Sequence, residues 1–201
     1  MDWTLTYILG GGPSAASIDT ERLRAGGKVI GVNDAAFHKP CDAFFSNDHN
    51  YALGIRAQIE SYPGERHLSV YDRNRHQFDG WQAQLWRRVL SDTPSMTKGV
   101  LCSGRPGVPG CSGYVAPNLA AQKGAKTIVL LGYDFDDDYR YFFSGTPYPR
   151  KEIGGVIKSF RAVAPHYAKR GICILNANPA SKIDAFPTIT HDKAYAMAGP
   201  R

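Results

Sequence analysis

The sequence predicts an α/β fold: one domain over residues 1–201, with a mainly parallel, twisted β-sheet and helices packed on both of its faces. Short apolar runs, each ended by glycine or by small polar residues, are typical of strands buried inside a parallel sheet. Stretches with helical periodicity separate these runs, and strands that alternate with helices build βαβ units. A chain of 201 residues is long enough to bury such a core without disulfides or metal.

Seven apolar runs are predicted as strands of a Rossmann-like sheet. The first run ends abruptly at Gly10-Gly11-Gly12, the second at Asn33, and the third at Asn47. The sixth run is the clearest of the set and ends at Gly132. In order along the chain, the predicted strands are residues 4–9, 28–32, 42–46, 67–71, 100–102, 126–131 and 172–175.

The clearest helix is predicted over residues 112–123. Gly124 follows it, and glycine is the residue that most readily adopts the left-handed backbone that ends helices. Pro117 lies inside this segment, which predicts either a kink or a helix that begins near the proline. Further helices are predicted over 51–60, over 155–170, and around an apolar stripe formed by Trp81, Leu85, Trp86 and Val89.

Composition and charge limit the classes of function. Hydrophobic residues make up 43% of the chain, which excludes a disordered or fibrous protein. The net charge of +6 suits an anionic partner such as a nucleotide or a sugar phosphate. The basic residues are scattered, so nucleic acid is not expected as a partner. No apolar run approaches the roughly 20 residues that span a bilayer, and no signal peptide is recognisable, so a cytoplasmic protein is expected.

The four cysteines are not expected to bind metal or to form disulfides. They are far apart in the sequence and show neither a Cys-x-x-Cys pair nor a histidine at zinc-site spacing. We predict that they are reduced and mostly buried. The cysteines in question are Cys41, Cys102, Cys111 and Cys173.

The segment 135–155 interrupts the alternation of strands and helices. It is rich in aromatic and acidic residues and contains turn formers without a clear period. A loop of this length in a compact domain is either functional or disordered, and its tyrosines and phenylalanines argue against disorder. We predict an active-site lid or a loop that binds a partner.

Small polar residues follow several predicted strands, and they predict a nucleotide pocket. In open parallel sheets, ligands bind beyond the carboxyl ends of the strands. Glycines allow close approach of the backbone to a ligand, and the turn is expected to direct free N–H groups and the Ser14 hydroxyl at a phosphate. Asparagine amides can read a nucleobase or a ribose. The predicted nucleotide-binding residues are Gly11, Gly12, Ser14, Asn33, Asn47, Ser112 and Gly113.

The glycine motif does not match two well-known nucleotide fingerprints. Residues 10–14 read Gly-Gly-Gly-Pro-Ser, which departs from Gly-x-Gly-x-x-Gly because residue 15 is alanine. No Gly-Lys-Ser/Thr follows, as a Walker loop requires. A dinucleotide-dependent dehydrogenase and a P-loop NTPase are therefore both disfavoured.

Two blocks of the chain resemble bacterial sialyltransferases of glycosyltransferase family 42. The first is Gly10-Gly11-Gly12-Pro13-Ser14 with the later Val32-Asn33 and Ala43-Phe44-Phe45-Ser46-Asn47. The second joins Ser112-Gly113-Tyr114 to the strand that ends in Gly132-Tyr133-Asp134-Phe135. The same blocks resemble motility-associated glycosyltransferases, uncharacterised proteins of bacteria and tailed phages and, more distantly, archaeal-type hydroxymethylpterin diphosphokinases.

The resemblance implies roles for individual residues. Gly11 and Ser14 would contact the phosphate, Asn33 and Asn47 the sugar nucleotide, and Ser112 with Gly113 the same site. The donor would be CMP-sialic acid or a related CMP-sugar, with no metal and no separate cofactor, and the acceptor is unknown. The family uses tyrosines that assist departure of the phosphate, and Tyr139 and Tyr141 are the matching candidates, with Asp134 near the cytidine end.

One departure from the family keeps two other functions open. The family places a histidine as general base beyond the Gly-x-Asp-Phe element, whereas no histidine occurs here between Asp134 and Lys158. Such a base contributes roughly 10²–10⁴ in rate. One alternative is a non-catalytic protein that keeps the fold, such as a phage-encoded binding or virion-assembly component, for which binding or homo-oligomerisation without turnover is expected. Another is a pterin diphosphokinase, for which Asp134 with Asp136, Asp137 and Asp138 would supply a Mg²⁺ site.

Overall fold

The computed structural model describes residues 2–91, 93–102, 111–136, 139–147 and 150–199, with side chains from residue 153 onward in the last range. Its strands are β1 (Leu5–Leu9), β2 (Lys28–Val32), β3 (Ala43–Ser46), β4 (Glu65–Val70), β5 (Gln84–Val89), β6 (Val100–Cys102), β7 (Thr127–Leu131) and β8 (Cys173–Asn176). They form one sheet in the order β6-β5-β4-β3-β2-β1-β7-β8. Every neighbouring pair is parallel, which confirms the predicted fold class.

Within the described ranges, seven α-helices connect or follow the strands. They are α1 (Thr20–Arg24), α2 (Ala35–His38), α3 (His49–Gly54), α4 (Arg56–Glu60), α5 (Ser112–Gln122), α6 (Arg150–Lys169) and α7 (His191–Met197). Two 3-10 segments, Pro13–Ser17 and Asp72–Phe78, follow β1 and β4. Helix α6 begins five residues before the predicted start at 155, and the predicted helix over 51–60 is divided at Ile55 into α3 and α4.

The core lies on both faces of the sheet because neighbouring residues of a strand point to opposite sides. In β1, Ile8 belongs to the cluster under α5 and α6, whereas Tyr7 and Leu9 belong to the cluster under α1, α2 and α7. All three side chains are fully buried. A continuous apolar run such as 5–9 is therefore what a central strand with two covered faces requires.

The order in which strands are added to the sheet changes sides at β1. From β1 the chain steps outward through β2 to β6, and it then returns to place β7 and β8 on the other side of β1. Leu9 is aligned with Gly31 of β2 and with Leu131 of β7, so these three strands end at the same edge. The crevice between the carboxyl ends of β1 and β7 is thus the topological switch point, where open α/β sheets bind their ligands.

The helix predicted around the two tryptophans is wrong, since residues 84–89 form strand β5. Trp86 is 2% exposed, and its indole N–H donates to Nδ1 of buried His67 on β4, 3.1 Å away. Trp81 precedes the strand and packs against Phe78. The sequence concealed β5 because Arg87 and its neighbour Arg88 interrupt the apolar run, and no glycine closes it.

Helix α5 begins at Ser112, so the start near Pro117 is not observed. Proline lacks an N–H group, which leaves the carbonyl four residues earlier without its helical partner. That carbonyl belongs to Gly113, and it accepts a hydrogen bond of 3.0 Å from the Tyr133 hydroxyl. Pro117 is therefore accommodated inside the helix by a side chain from the segment after β7.

The expectations for the cysteines and for the membrane can be compared with the structure in part. Within the described ranges none of the four cysteines forms a disulfide, and Cys41 and Cys102 are buried, Cys111 is half-buried and Cys173 is exposed. Burial therefore holds for two of the four. Within the described ranges, no helix has both the length and the apolar character needed to cross a bilayer.

Candidate functional site

The carboxyl edge around the switch point gathers the residues predicted from the sequence. The glycine turn follows β1, Asn33 follows β2, and Asn47 follows β3. Asp134 follows β7, directly across the switch point from the glycine turn. Helix α5 brings Ser112 to the end of β3. The predicted residues therefore share one edge of the sheet, in two hydrogen-bonded groups with Asn33 on the strand between them.

The glycine turn extends the pairing of β1 with β7. The Gly10 N–H donates to the Leu131 carbonyl at 2.7 Å, and the Gly12 N–H donates to the Gly132 carbonyl at 2.9 Å. A Cβ atom on Gly12 would lie 2.6 Å from the Gly132 carbonyl oxygen and would collide with the Asp134 carboxylate. Glycine is required here by the close approach of another segment of the chain.

Asp134 anchors the residue that follows this turn. Its carboxylate accepts the Ser14 hydroxyl at 3.0 Å and the Ser14 N–H at 3.3 Å to each oxygen. The expected free amide and hydroxyl of Ser14 are therefore not observed, because both are already hydrogen-bonded to a carboxylate. Contact of Ser14 with a phosphate stays a prediction, and it would require exchange of these bonds.

Asn178 completes the environment of this carboxylate from the end of β8. Its side-chain N–H donates to the second oxygen of Asp134 at 2.6 Å, and its own amide oxygen accepts the Ala180 N–H at 2.9 Å. Asp134 is 5% exposed. Burial raises the pKa of the Asp134 carboxyl, while the hydrogen bonds from Ser14 oppose that shift. From the sequence, Asn178-Pro179 after the last strand predicts only a turn near the pocket, without a bond to Asp134.

Asn33 presents an amide oxygen with no hydrogen-bond partner in the described part of the chain. Its backbone is left-handed, with φ of 52°, a conformation that asparagine tolerates better than most residues. The Asn33 N–H donates to the Phe45 carbonyl at 3.0 Å, which fixes the residue at the end of β2. The buried Oδ1 atom makes no bond. An unpaired buried acceptor is costly, and a ligand donor would satisfy it.

Asn47 and Ser112 are in direct contact. The Asn47 N–H donates to the Ser112 hydroxyl at 2.9 Å, and the two residues are 1% and 5% exposed. Gly113 follows at the first turn of α5, where a Cβ would meet the Tyr133 ring at 3.2 Å. This group joins β3 to α5, as expected if Asn47, Ser112 and Gly113 line one site, although their contact with a ligand stays a prediction.

The segment 139–147 lies against the glycine turn. The Phe142 N–H donates to the Gly11 carbonyl at 2.8 Å, and a Cβ on Gly11 would lie 2.6 Å from the Tyr141 ring. Tyr141 stacks on Phe143 at a centroid distance of 5.3 Å. Phe143 in turn stacks on His38, from α2, at 5.0 Å and 6°. This part of the predicted loop is therefore packed over Gly11.

The two candidate tyrosines differ in exposure. Tyr141 is half-buried, whereas Tyr139 is 5% exposed and its hydroxyl lies 3.5 Å from the Gly132 carbonyl oxygen. Burial raises the pKa of Tyr139 well above its ordinary value. Tyr139 can reach a substrate only if the segment moves, so its catalytic assignment stays a prediction.

Histidines reach this region from elements other than the predicted loop. His38 contacts the loop as described above. His49, in the first turn of α3 beyond Asn47, has Nε2 3.0 Å from the Gln77 amide oxygen, and its buried Nδ1 has no partner in the described ranges. His166 does not share this region, because it is half-buried in the last turn of α6, which leads to the amino end of β8.

The end of β4 carries an arginine–tyrosine cluster that the sequence did not predict. The guanidinium groups of Arg73 and Arg88 both lie over the Tyr71 ring, at 5.3 and 4.7 Å from its centroid. Arg88 also donates to the Ser69 carbonyl at 2.8 Å. The sequence signal was only a charged stretch after a strand, because Arg88 comes from the unrecognised β5.

The carboxylates proposed for Mg²⁺ fall partly outside the described residues. Asp137 and Asp138 are outside the described residues, whereas Asp134 and Asp136 are within them. Within the described ranges, no group of three or more histidine, cysteine or acidic side chains could hold a metal ion. The pterin diphosphokinase alternative stays a prediction.

The fold is similar to solved structures of the sialyltransferase CstII from Campylobacter jejuni. A complex with cytidine-5'-monophosphate has a TM-score of 0.54 and 17% identity, covering 94% of this chain and 86% of that chain. A complex with CMP-3FNeuAc has a TM-score of 0.55 and 18% identity, covering 93% and 86%. At this identity the likeness establishes the fold. No protein-family model and no curated protein gave a significant match.

Proposed function

We propose that the chain binds a nucleotide sugar, of the CMP-sugar type, at the carboxyl edge beside the switch point. The observation that carries this proposal is the glycine turn together with serine, asparagine and aspartate side chains from neighbouring strand ends along that one edge of the sheet. Amide and hydroxyl groups recognise bases and riboses, and a glycine turn admits a phosphate. The similarity of the fold to a sialyltransferase solved with CMP supports the choice of donor.

Each part of the nucleotide has a proposed partner. The unpaired Asn33 Oδ1 would accept a hydrogen bond from a base amino group or a ribose hydroxyl. The group formed by Asn47, Ser112 and Gly113 would contact the same nucleotide. Gly11, Gly12 and Ser14 would lie beside the phosphate, with Asp134 holding the turn in place.

Sugar transfer would require rearrangement of the segment 139–147. In the transfer, the acceptor oxygen bonds to the anomeric carbon as the bond from that carbon to the CMP phosphate oxygen breaks. CMP leaves, and the acceptor proton passes to a base. Tyr141 lies over Gly11 and could donate a hydrogen bond to the departing phosphate once the segment shifts. Tyr139 would first have to leave its buried position.

Calorimetric titration with CMP, CMP-sialic acid, UDP and GDP tests the binding proposal. We expect the cytidine ligands to bind most tightly. Asn33→Gly, which permits the left-handed backbone while removing the amide, and Ser112→Ala should each weaken binding about tenfold, the effect of one or two hydrogen bonds. Ser61→Ala, an exposed serine at the opposite edge, is the matched control. If none of the four ligands binds at concentrations up to about 1 mM, the proposal is contradicted.

A second candidate function is nucleotide-sugar binding without turnover, as in a binding or assembly protein that keeps the fold. The absence of a histidine between Asp134 and Lys158 favours it. Incubation with CMP-sialic acid and detection of released CMP distinguishes the two functions. Release that is lost in Ser14→Ala supports the transferase, whereas binding without release supports the second candidate.

A further inference from the structure

A cleft of about 900 Å³ lies at the opposite, amino edge of the sheet, below the first residues of β2, β3 and β4. It runs between the end of α2, residues 37–40, and the turn 62–66 that leads into β4. The cleft includes none of the predicted nucleotide-binding residues. Its volume falls within the range of about 300–1,000 Å³ typical of small-molecule sites.

Two cationic side chains that line this cleft are hydrogen-bonded to backbone carbonyl groups. Lys39 Nζ donates to the carbonyls of Ala16 and Ile18 at 2.8 and 3.0 Å, and Arg66 donates to the Glu60 carbonyl at 2.7 Å. Neither side chain has a carboxylate partner in the described part of the chain. Carbonyl groups fix the position of a cation without neutralising it, so both charges are held ready for an anion.

The acidic groups of the cleft are already paired. Asp42 lies 3.3 Å from Arg24 Nε and 3.8 Å from Lys28 Nζ, so two cations share one carboxylate. Glu65 lies 2.7 Å from Lys123 Nζ, outside the cleft. The lining therefore holds four cationic side chains against two carboxylates that are both engaged. This balance favours an anionic ligand.

The cleft also has an aromatic surface. Phe37 is 36% exposed, and its ring contacts Phe44 and Tyr62 at centroid distances of 5.3 and 5.7 Å. Pro40 and Pro63 also line the cleft. An exposed aromatic ring that shares a cleft with cations lacking carboxylate partners among the described residues is complementary to a ligand that carries a ring and a negative group.

We propose that this amino-edge cleft binds a small aromatic anion, a ring that bears a phosphate or a similar acidic group. Lys39 and Arg66 would contact the acidic group, and Phe37 would contact the ring. This site is separate from the carboxyl-edge site and does not depend on the function proposed there.

NMR titration of the ¹⁵N-labelled full-length chain with 1-naphthyl phosphate tests the site. We expect saturable shifts of the amides in 37–42 and 62–66. The same ring without charge, 1-naphthol, and the charge without a ring, inorganic phosphate, should each bind at least about tenfold more weakly. The absence of saturable cleft shifts up to about 10 mM overturns the proposal. Equal binding of all three probes also overturns it, as do shifts confined to residues 11–14, 33 and 47.

Charge variants identify the contacts. Lys39→Gln and Arg66→Gln should each weaken the binding of 1-naphthyl phosphate about fivefold, which is the effect of losing one partly exposed charged contact. Lys169→Gln, which removes the same charge at the exposed end of α6, should leave binding unchanged. Phe37→Ser removes the ring and leaves the hydrogen bonds of Lys39 to Ala16 and Ile18 in place, so weaker binding in this variant reports the ring contact alone. Unchanged affinity in all three cleft variants, each with a native-like spectrum, overturns the proposal.

Discussion

At the scale of single residues, Asp134 holds together three separate parts of the carboxyl edge. Its two oxygens accept hydrogen bonds from Ser14 and from Asn178, while its backbone carbonyl accepts the Lys182 N–H at 3.2 Å. The carboxylate thus joins the ends of β1, β7 and β8. Its location at the switch point explains why the glycine turn tolerates no side chain at Gly12.

Asp134→Asn tests this anchoring role. The variant keeps the shape but places an NH₂ group against the donors of Ser14 or Asn178, leaving buried donors unsatisfied. The free energy of unfolding should fall by about 2–3 kcal/mol, measured by urea denaturation. Asp79→Asn, at an exposed carboxylate, should change the stability by less than about 0.5 kcal/mol. Equal stability of Asp134→Asn and the native chain would show that the carboxylate is not an anchor.

At the scale of elements, a buried histidine links β4 to its unexpected neighbour β5. The Trp86 indole can only donate, so Nδ1 of His67 accepts and Nε2–H donates to Glu65 at 3.0 Å. His67 is 1% exposed, and burial lowers its pKa from 6.5 to about 4. The strand pair therefore requires the neutral imidazole.

This requirement predicts a loss of stability in acid. Between pH 6.5 and about 4 the unfolded chain binds a proton at His67 that the native chain does not, so the free energy of unfolding falls as the pH falls. The full free energy of unfolding is present above pH 6.5, and about 3 kcal/mol of it is lost by pH 4. His67→Gln, which can still accept from the indole and donate to Glu65, should flatten this part of the pH profile. The exposed control His76→Gln should retain it, and identical profiles for all three proteins would contradict the assignment.

Elements with a purely local signal were predictable from the sequence. The run 5–9 closed by glycine, and the helix over residues 112–122 followed by Gly124, carry their own boundaries. Strand β5 does not, because only Trp86 of its side chains is fully buried. Likewise, Asn47 and Ser112 could be predicted as strand-end and helix-start residues. The engagement of Ser14 by Asp134 depends on tertiary contact across 120 residues, which no local pattern encodes.

At the scale of the whole molecule, the sheet separates two candidate binding regions. The carboxyl edge carries the polar groups around the switch point, and the amino edge carries the charged cleft. His38 lies between them, since it lines the cleft and stacks on Phe143 of the segment that covers Gly11. This ring contact is therefore one physical connection through which ligand binding in one region could affect the other.

Hydrogen exchange in the full-length chain can measure that separation. The amides of β1, β2 and β3 lie in the interior of the sheet and should exchange most slowly. CMP-sialic acid should slow exchange at residues 11–14, 33, 47 and 112–113 while leaving 37–42 and 62–66 unchanged, whereas 1-naphthyl phosphate should do the reverse. Coupling between binding sites is reciprocal. If CMP-sialic acid protects the amino edge through coupling, 1-naphthyl phosphate must also protect the carboxyl edge. Protection of both edges by each ligand, abolished in His38→Ala, would show one coupled site where two independent ones are expected.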